Sequence, residues 1–245
     1  MDLVVKEQIE IDFWKNSIYE NPDIFTIPNI VYKLSEAKIF LKKIEKYKNY
    51  ISNSLTVLEV GAGQGWASCI IKALHPTKKV IASDISSFAI EGAKHWEKLF
   101  SAEIDHKIVC KSYEIPLEDN SVDLVFCFQS AHHFVKHKET LAEVYRVLKD
   151  GGHAIYIHEP SCRKFIYKRA HERVNAKRPA VPEDVLVYKE ITNFAKELNF
   201  KKVELFFEPD LSNRGPLQTI YFYVLKKLPI LQKIFPTSVD YLFEK

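Results

Sequence analysis

The rhythm of hydrophobic and polar positions changes near residue 53. Up to Tyr50 apolar residues recur at three- and four-residue steps, and Ile30, Leu34, Ala37, Leu41 and Ile44 predict one apolar stripe of a helix. Asn21-Pro22 and Ile27-Pro28-Asn29 punctuate the chain before it. After Ser52-Asn53-Ser54 short apolar runs alternate with helical patterns. Thr56–Val60, Lys79–Asp84, His106–Lys111, Val122–Phe128 and His153–His158 predict strands, with helices near Trp66–Leu74, Ser87–Phe100 and Glu139–Leu148 between them. In the last helix Leu141, Val144, Tyr145 and Leu148 share a face, and Gly151 suits a left-handed position after its end.

Such alternation predicts right-handed βαβ units, hence an α/β fold with a doubly wound, mostly parallel sheet. Further on, the stretch from Pro160 to Arg178 is basic and lacks a clean period. A helix is expected from about Asp184 to Leu198, with Val187, Ile191, Phe194 and Leu198 on one side. Lys202–Phe207 and Leu217–Leu225 then predict two strands, an antiparallel hairpin at one edge of the sheet.

Composition narrows the class. Of 245 residues 47% are apolar and 13% aromatic, enough for a packed core, and a net charge of +3 does not by itself point to nucleic acid. Cys69, Cys110, Cys127 and Cys162 form no CxxC pair and no zinc-ligand spacing, so no metal is expected. Residues 1–10 carry no signal-peptide core, and no uncharged apolar run is long enough for a bilayer. A soluble, cytoplasmic protein is expected.

Candidate chemistry begins where the first strand turns into a helix, at Leu58-Glu59-Val60-Gly61-Ala62-Gly63-Gln64-Gly65. Glycines there permit positive φ and close approach of a ligand, and the following helix offers free N–H groups to an anionic moiety. The spacing is G-x-G-x-G rather than the dinucleotide G-x-G-x-x-G, which argues against a dehydrogenase. Asp84 ends the second strand, roughly 20 residues on, where an acid accepts ribose hydroxyls.

From Thr56 to Glu159 the chain resembles class I S-adenosylmethionine-dependent methyltransferases, in particular their type-11 branch. The resemblance rests on the glycine loop, Asp84-Ile85-Ser86, the run Ile115 to Val125, Ala131-His132-His133-Phe134, and Glu143 to Gly152. It implies a Rossmann-like fold and S-adenosylmethionine as cofactor. By the same resemblance Glu59, Gly61, Ala62, Gly63 and Gly65 hold the methionine moiety, Asp84 the ribose, and Ile85 flanks the adenine. Ser112, Tyr113 and Glu114 fall at the adenine edge, and Gln129 beside the sulfonium. Family members commonly carry an aspartate just before this adenine stretch, where the nearby residues here are Lys111 and Ser112.

An oxygen acceptor calls for a base, and His132 or His133, just after the fourth strand, stands at the sheet edge where ligands bind. His158 and Glu159 hold the matching edge after the fifth strand, and Phe13 and Trp14 belong to a helix that would wall the acceptor pocket. Residues 1–52 are thus expected to form a helical cap. Residues 53–245 form the cofactor-binding domain, with 160–182 as a basic, substrate-covering insertion. From Arg163 to Arg178 seven Lys or Arg residues oppose one acid, Glu172, which suits an anionic acceptor clamped by Arg163, an RNA surface, or a solvated face. The segment Lys226 to Pro236 mixes lysines with bulky apolar residues and admits contact with a membrane surface.

The expected function is methyl transfer to a small molecule or biosynthetic intermediate, through oxygen, with a sugar or surface-glycan intermediate as acceptor. The alternatives are an RNA- or protein-directed methyltransferase and a non-catalytic cofactor-binding protein. Cys127-Phe128-Gln129-Ser130 stands where base N-methyltransferases carry an Asn-Pro-Pro-Tyr-like tetrapeptide, which speaks against that chemistry.

Overall fold

The computed structural model describes residues 3–176, 183–212 and 215–245. Its helices are α1 (Leu3–Asn16), α2 (Ile27–Lys46), α3 (Lys48–Ser52), α4 (Trp66–Leu74), α5 (Ser87–Glu91), α6 (Ala93–Phe100), α7 (His137–Val147), α8 (Tyr167–Asn175), α9 (Tyr188–Glu197), α10 (Pro216–Lys227) and α11 (Pro229–Gln232). The strands are β1 (Thr56–Val60), β2 (Lys79–Asp84), β3 (His106–Val109), β4 (Val122–Phe128), β5 (Leu148–Cys162), β6 (Leu186–Val187), β7 (Lys202–Phe207) and β8 (Thr237–Glu244). They form one sheet in the order β3-β2-β1-β4-β5-β8-β7, with β6 beside the end of β5. Pairing is parallel from β3 to β5, and β8 runs antiparallel to both β5 and β7.

Alternating side chains divide the core between the two faces of the sheet. Val57, Leu124, Phe126 and Ile155 pack with Phe40, Trp66 and Ile70, under α2 and α4. Leu58, Val125, Cys127 and Tyr156 pack with Leu141, Val144 and Ile191, under α7 and α9. Because both faces are covered, the strands read as continuous apolar runs. Strand order reverses between β1 and β4, so the loops after them leave to opposite sides and open a crevice at the carboxyl ends.

Four expectations need correction. The stripe assigned to α2 is largely solvent-facing: Ile30, Leu34 and Leu41 are exposed, while Phe40, Lys43 and Ile44 are buried. The helix is turned by Phe40, whose ring meets Trp66 and Phe128 edge-on at 5.6 and 5.2 Å, and by Lys43, which bonds the buried Asp240 at 2.8 Å. Leu217–Leu225 is helical rather than a strand; Pro216 occupies the helix start, where its missing N–H costs nothing. The antiparallel edge exists, but β7 pairs there with β8. Helix α7 stops at Val147, and Gly151, with φ +76°, lies within a β5 much longer than expected. The basic insertion also has regular structure, in the end of β5 and α8, while residues 177–182 of it lie outside the described residues.

Candidate active site

Gly61, Gly63 and Gly65 follow β1 with φ of +70°, +52° and +71°. At Gly63 a side chain is excluded twice over, because a Cβ there would stand 2.5 Å from the indole of Trp14. Asp84 braces the same loop from β2, accepting the Gly63 N–H at 2.7 Å and the Ser86 N–H at 2.8 Å. Glu59 accepts the N–H of Ser68 at 3.0 Å and its hydroxyl at 2.5 Å. Both carboxyls are buried, so their donors are amides and one serine rather than water. Burial pushes Glu59 up to about 8, and Asp84 up to about 6 against the pull of its two amide donors.

Around this loop lies a cavity of about 690 Å³. Asp84, Ile85, Ser112 and Tyr113 form one wall, Gln129, His132 and His133 another, and α1 forms the cover. Glu7 on α1 accepts from the Tyr113 hydroxyl and pairs with Lys111 at 2.9 Å. One turn further on, Glu10 faces His133 Nδ1 at 3.2 Å, a charge contact without hydrogen-bond alignment. Burial opposes charge on His133, but the Glu10 carboxylate outweighs it and raises the imidazole to about 9. Sequence reasoning missed Glu7 and Glu10. With Trp14 they recur at i, i+3 and i+7, the spacing of one helix face, and that signal was available.

His132 stands in a short 3-10 turn after β4 and is held by Glu159. Glu159 is fully buried, and its Oε1 accepts the N–H groups of Ser130 and Ala131, both at 3.0 Å. Its Oε2 meets His132 Nδ1 at 2.8 Å. Burial alone would raise this carboxyl, yet the histidine and the amide donors hold it below the ordinary carboxylate range. With Nδ1 committed to Glu159, Nε2 is the ring nitrogen that His132 keeps for a ligand. The His132 and His133 rings are 4.2 Å apart, and these two histidines with Glu183 bring possible ligand atoms within 4.8 Å of one another.

The cavity gathers Phe13, Trp14, Glu59, Gly61, Ala62, Gly63, Asp84, Ile85, Ser112, Tyr113, Gln129, His132 and His133 from the residues expected. Five others stand elsewhere. Gly65 caps α4, and the side chain of Glu114 is exposed. Glu159 lies behind His132 rather than in the wall. His158, at φ +63°, occupies a register shift in β5, where its N–H donates to Asp240 at 2.8 Å and its ring stacks with Phe128. Arg163 lies outside the cavity wall, where its Nε–H is shared between the Tyr188 hydroxyl at 2.8 Å and the Lys233 carbonyl at 2.6 Å. Ser112, in the wall, shares a 2.8 Å hydrogen bond with Thr140.

Comparison with known proteins agrees with this geometry. Residues 58–156 match the family model described as a methyltransferase domain. The chain is 41% identical over 102 residues to an uncharacterised methyltransferase of Schizosaccharomyces pombe, covering 42% of this chain and 38% of that protein. It is 28% identical over 162 residues to 24-methylenesterol C-methyltransferase 2 of Arabidopsis thaliana, covering 64% of this chain and 44% of the other. The chain thus spans less than half the length of these curated relatives. Among solved structures, geranyl diphosphate C-methyltransferase of Streptomyces coelicolor, in complex with Mg2+, geranyl diphosphate and S-adenosyl-L-homocysteine, shares the fold. Its TM-score is 0.69 at 14% identity, over 97% of this chain and 98% of that one. The segment 58–156, which carries the glycine loop, Asp84 and His132, is thus similar to the methyltransferase domain, and the fold around it is that of a known S-adenosylmethionine-dependent methyltransferase.

Proposed function

We propose that this chain is an enzyme that transfers a methyl group from S-adenosylmethionine to an oxygen of a small, largely apolar biosynthetic intermediate. The observation that carries the reading is one cavity holding two kinds of acidic device. Glu59 and Asp84 are buried carboxyls with neutral donors, raised above the ordinary range, which suits a ligand whose own positive charge would favour their ionised forms, as the sulfonium and ammonium of this cofactor do. Opposite them His132 is backed by a carboxylate. When bound, the cofactor supplies an activated methyl group, so the protein's task is alignment, exclusion of water and removal of one proton.

The residues divide that task. Asp84 and the glycine loop orient the cofactor's ribose and methionine ends. His132 Nε2 takes the acceptor's hydroxyl proton, and Glu159 stabilises the imidazolium that results. Phe13, Trp14, Tyr19, Tyr32 and Phe128 present rings to the cavity, and α1, tied by Glu10 to His133, keeps water out. An aromatic wall favours an apolar acceptor over the sugar intermediate suggested by the sequence, in keeping with relatives named for a sterol and for geranyl diphosphate. The four cysteines are unpaired, which suits a reducing cytoplasm. No helix among the described residues is long and apolar enough to cross a membrane.

Calorimetric titration with S-adenosylmethionine and S-adenosylhomocysteine tests the cofactor. Micromolar binding by the wild type that collapses in Asp84→Ala supports it, and no binding by folded protein refutes it. A panel of apolar hydroxylated acceptors, followed by S-adenosylhomocysteine release, tests the oxygen chemistry. Turnover confined to amine or carbon acceptors and indifferent to His132→Asn would overturn that part.

A further inference from the structure

We infer that the face built by α10 and α11 docks on an anionic membrane surface. Along these helices Leu217, Ile220, Tyr223, Val224, Leu228 and Ile230 are all exposed, Leu217 at 82% and Ile230 at 68%. The opposite side of the pair is anchored: Leu225 and Gln232 are buried, Gln232 ties the two helices by donating to the Leu225 carbonyl at 2.8 Å, and the Lys233 carbonyl accepts from the Tyr188 hydroxyl at 2.9 Å and from Arg163 at 2.6 Å. The apolar stripe therefore belongs to a fixed element, with its bulk turned outward. An exposed patch of this kind marks an interaction surface rather than a core.

Charge selects the occupant. Between Asp210 and Asp240 the sequence has no acidic residue and four cations, Arg214, Lys226, Lys227 and Lys233. Bulky apolar side chains edged by lysine and tyrosine, with acids excluded, match an interface whose outer layer is anionic and whose inner layer is hydrocarbon. The neighbouring segment from Arg163 to Arg173 adds cations and an exposed ring, with Glu172 as its one acid. Arg173 lies over the Tyr221 ring at 5.8 Å, Arg163 bonds the Lys233 carbonyl, and Phe165 between them is 71% exposed. A two-fold dimer through this face would instead bring the Lys226–Lys227 pairs of both copies into one interface, with no acid from the stretch to oppose them.

Docking is separable from methyl transfer, because no residue of this face lines the cavity. Full-length protein is sedimented with vesicles of phosphatidylcholine, with and without phosphatidylglycerol. The wild type should bind the anionic vesicles only, and less at high salt. Each lysine near such a surface contributes about fivefold, so Lys226→Glu/Lys227→Glu should weaken binding by about 25-fold or more. Ile220→Glu/Val224→Glu should abolish it. Both variants should bind S-adenosylmethionine as the wild type does, which shows that they are folded and keeps this test apart from the cofactor's. Failure to bind anionic vesicles, or variants that bind them like the wild type, overturns the inference. So does a stable dimer in sedimentation velocity that Ile220→Glu/Val224→Glu dissociates.

Discussion

Replacing Glu59 by glutamine isolates the electrostatic cost built into the cofactor loop. The ordinary glutamate value is 4.5, and burial under α4 moves the native group to about 8. Between those values the folded protein keeps a proton that the unfolded chain has released. Rising pH therefore favours unfolding: the group's contribution is fully present below 4.5 and is lost as pH climbs towards 8. The slope for one proton is about 1.4 kcal/mol per pH unit, so from about pH 5.5 to about pH 7.5 the cofactor-free wild type should lose roughly 2–3 kcal/mol through this residue. Glu59→Gln keeps an oxygen for the Ser68 N–H and hydroxyl but does not titrate, so it should lack that slope. Asp84, raised from 3.8 to about 6, adds its own decline to both proteins, and because its charge is one cause of the rise at Glu59 the difference between them includes that coupling. Urea unfolding of both proteins at the two pH values, extrapolated linearly to water, gives the comparison. Parallel pH profiles would show that Glu59 is ionised in the folded state, and the argument from buried charge would fall with it.

Three further outcomes follow from contacts already described. Asp84→Asn removes a charged acceptor of two amides, and S-adenosylmethionine affinity should drop roughly 10- to 100-fold by calorimetry; an unchanged Kd would remove Asp84 from the cofactor site. Asp240→Ala leaves the buried Lys43 with the half-exposed Glu208 as its remaining partner and strips acceptors from the Tyr47 hydroxyl and the His158 N–H. Urea unfolding should show a loss of about 3–5 kcal/mol, and a loss below about 1 kcal/mol would contradict the burial argument. His132→Asn and Glu159→Gln should each lower kcat, and the double variant should be little worse than His132→Asn alone, because the carboxylate acts through the ring. Multiplying effects would mean that Glu159 acts independently.

The central sheet was legible because its strands are short apolar runs separated by helices of distinct period, and the glycine loop fell where that pattern requires a turn. Strand β8 was not, because Asp240 interrupts Thr237–Glu244 with a charge that the His158 N–H and, 193 to 197 residues away in sequence, Lys43, Lys46 and Tyr47 make tolerable. Leu217–Leu225 misled through composition, since aromatic and β-branched side chains favour strands when nothing else decides. At the site, His158 and Glu159 look equivalent as letters. The register shift in β5 turns His158 towards Phe128 and Glu159 towards His132, and no periodicity announces an irregular pairing. The position of Arg163 outside the cavity wall was hidden for a related reason: its partners, Tyr188 and Lys233, come from elements far along the chain.

The indole of Trp14 resting on Gly63 bears on the timing of the catalytic cycle. If the cofactor binds at this loop as proposed, the indole would have to yield to it, and entry would wait for the fraction of molecules in which α1 has swung aside. Apparent affinity is reduced by that fraction, and the first ligand to seat changes the opening equilibrium met by the second. On the proposed reading α1 also bounds the acceptor's side of the cavity, which would order the cycle: the nucleoside would enter first, the acceptor follow, and the spent nucleoside leave last. Turnover would then keep the time of a helix lifting rather than of a bond breaking.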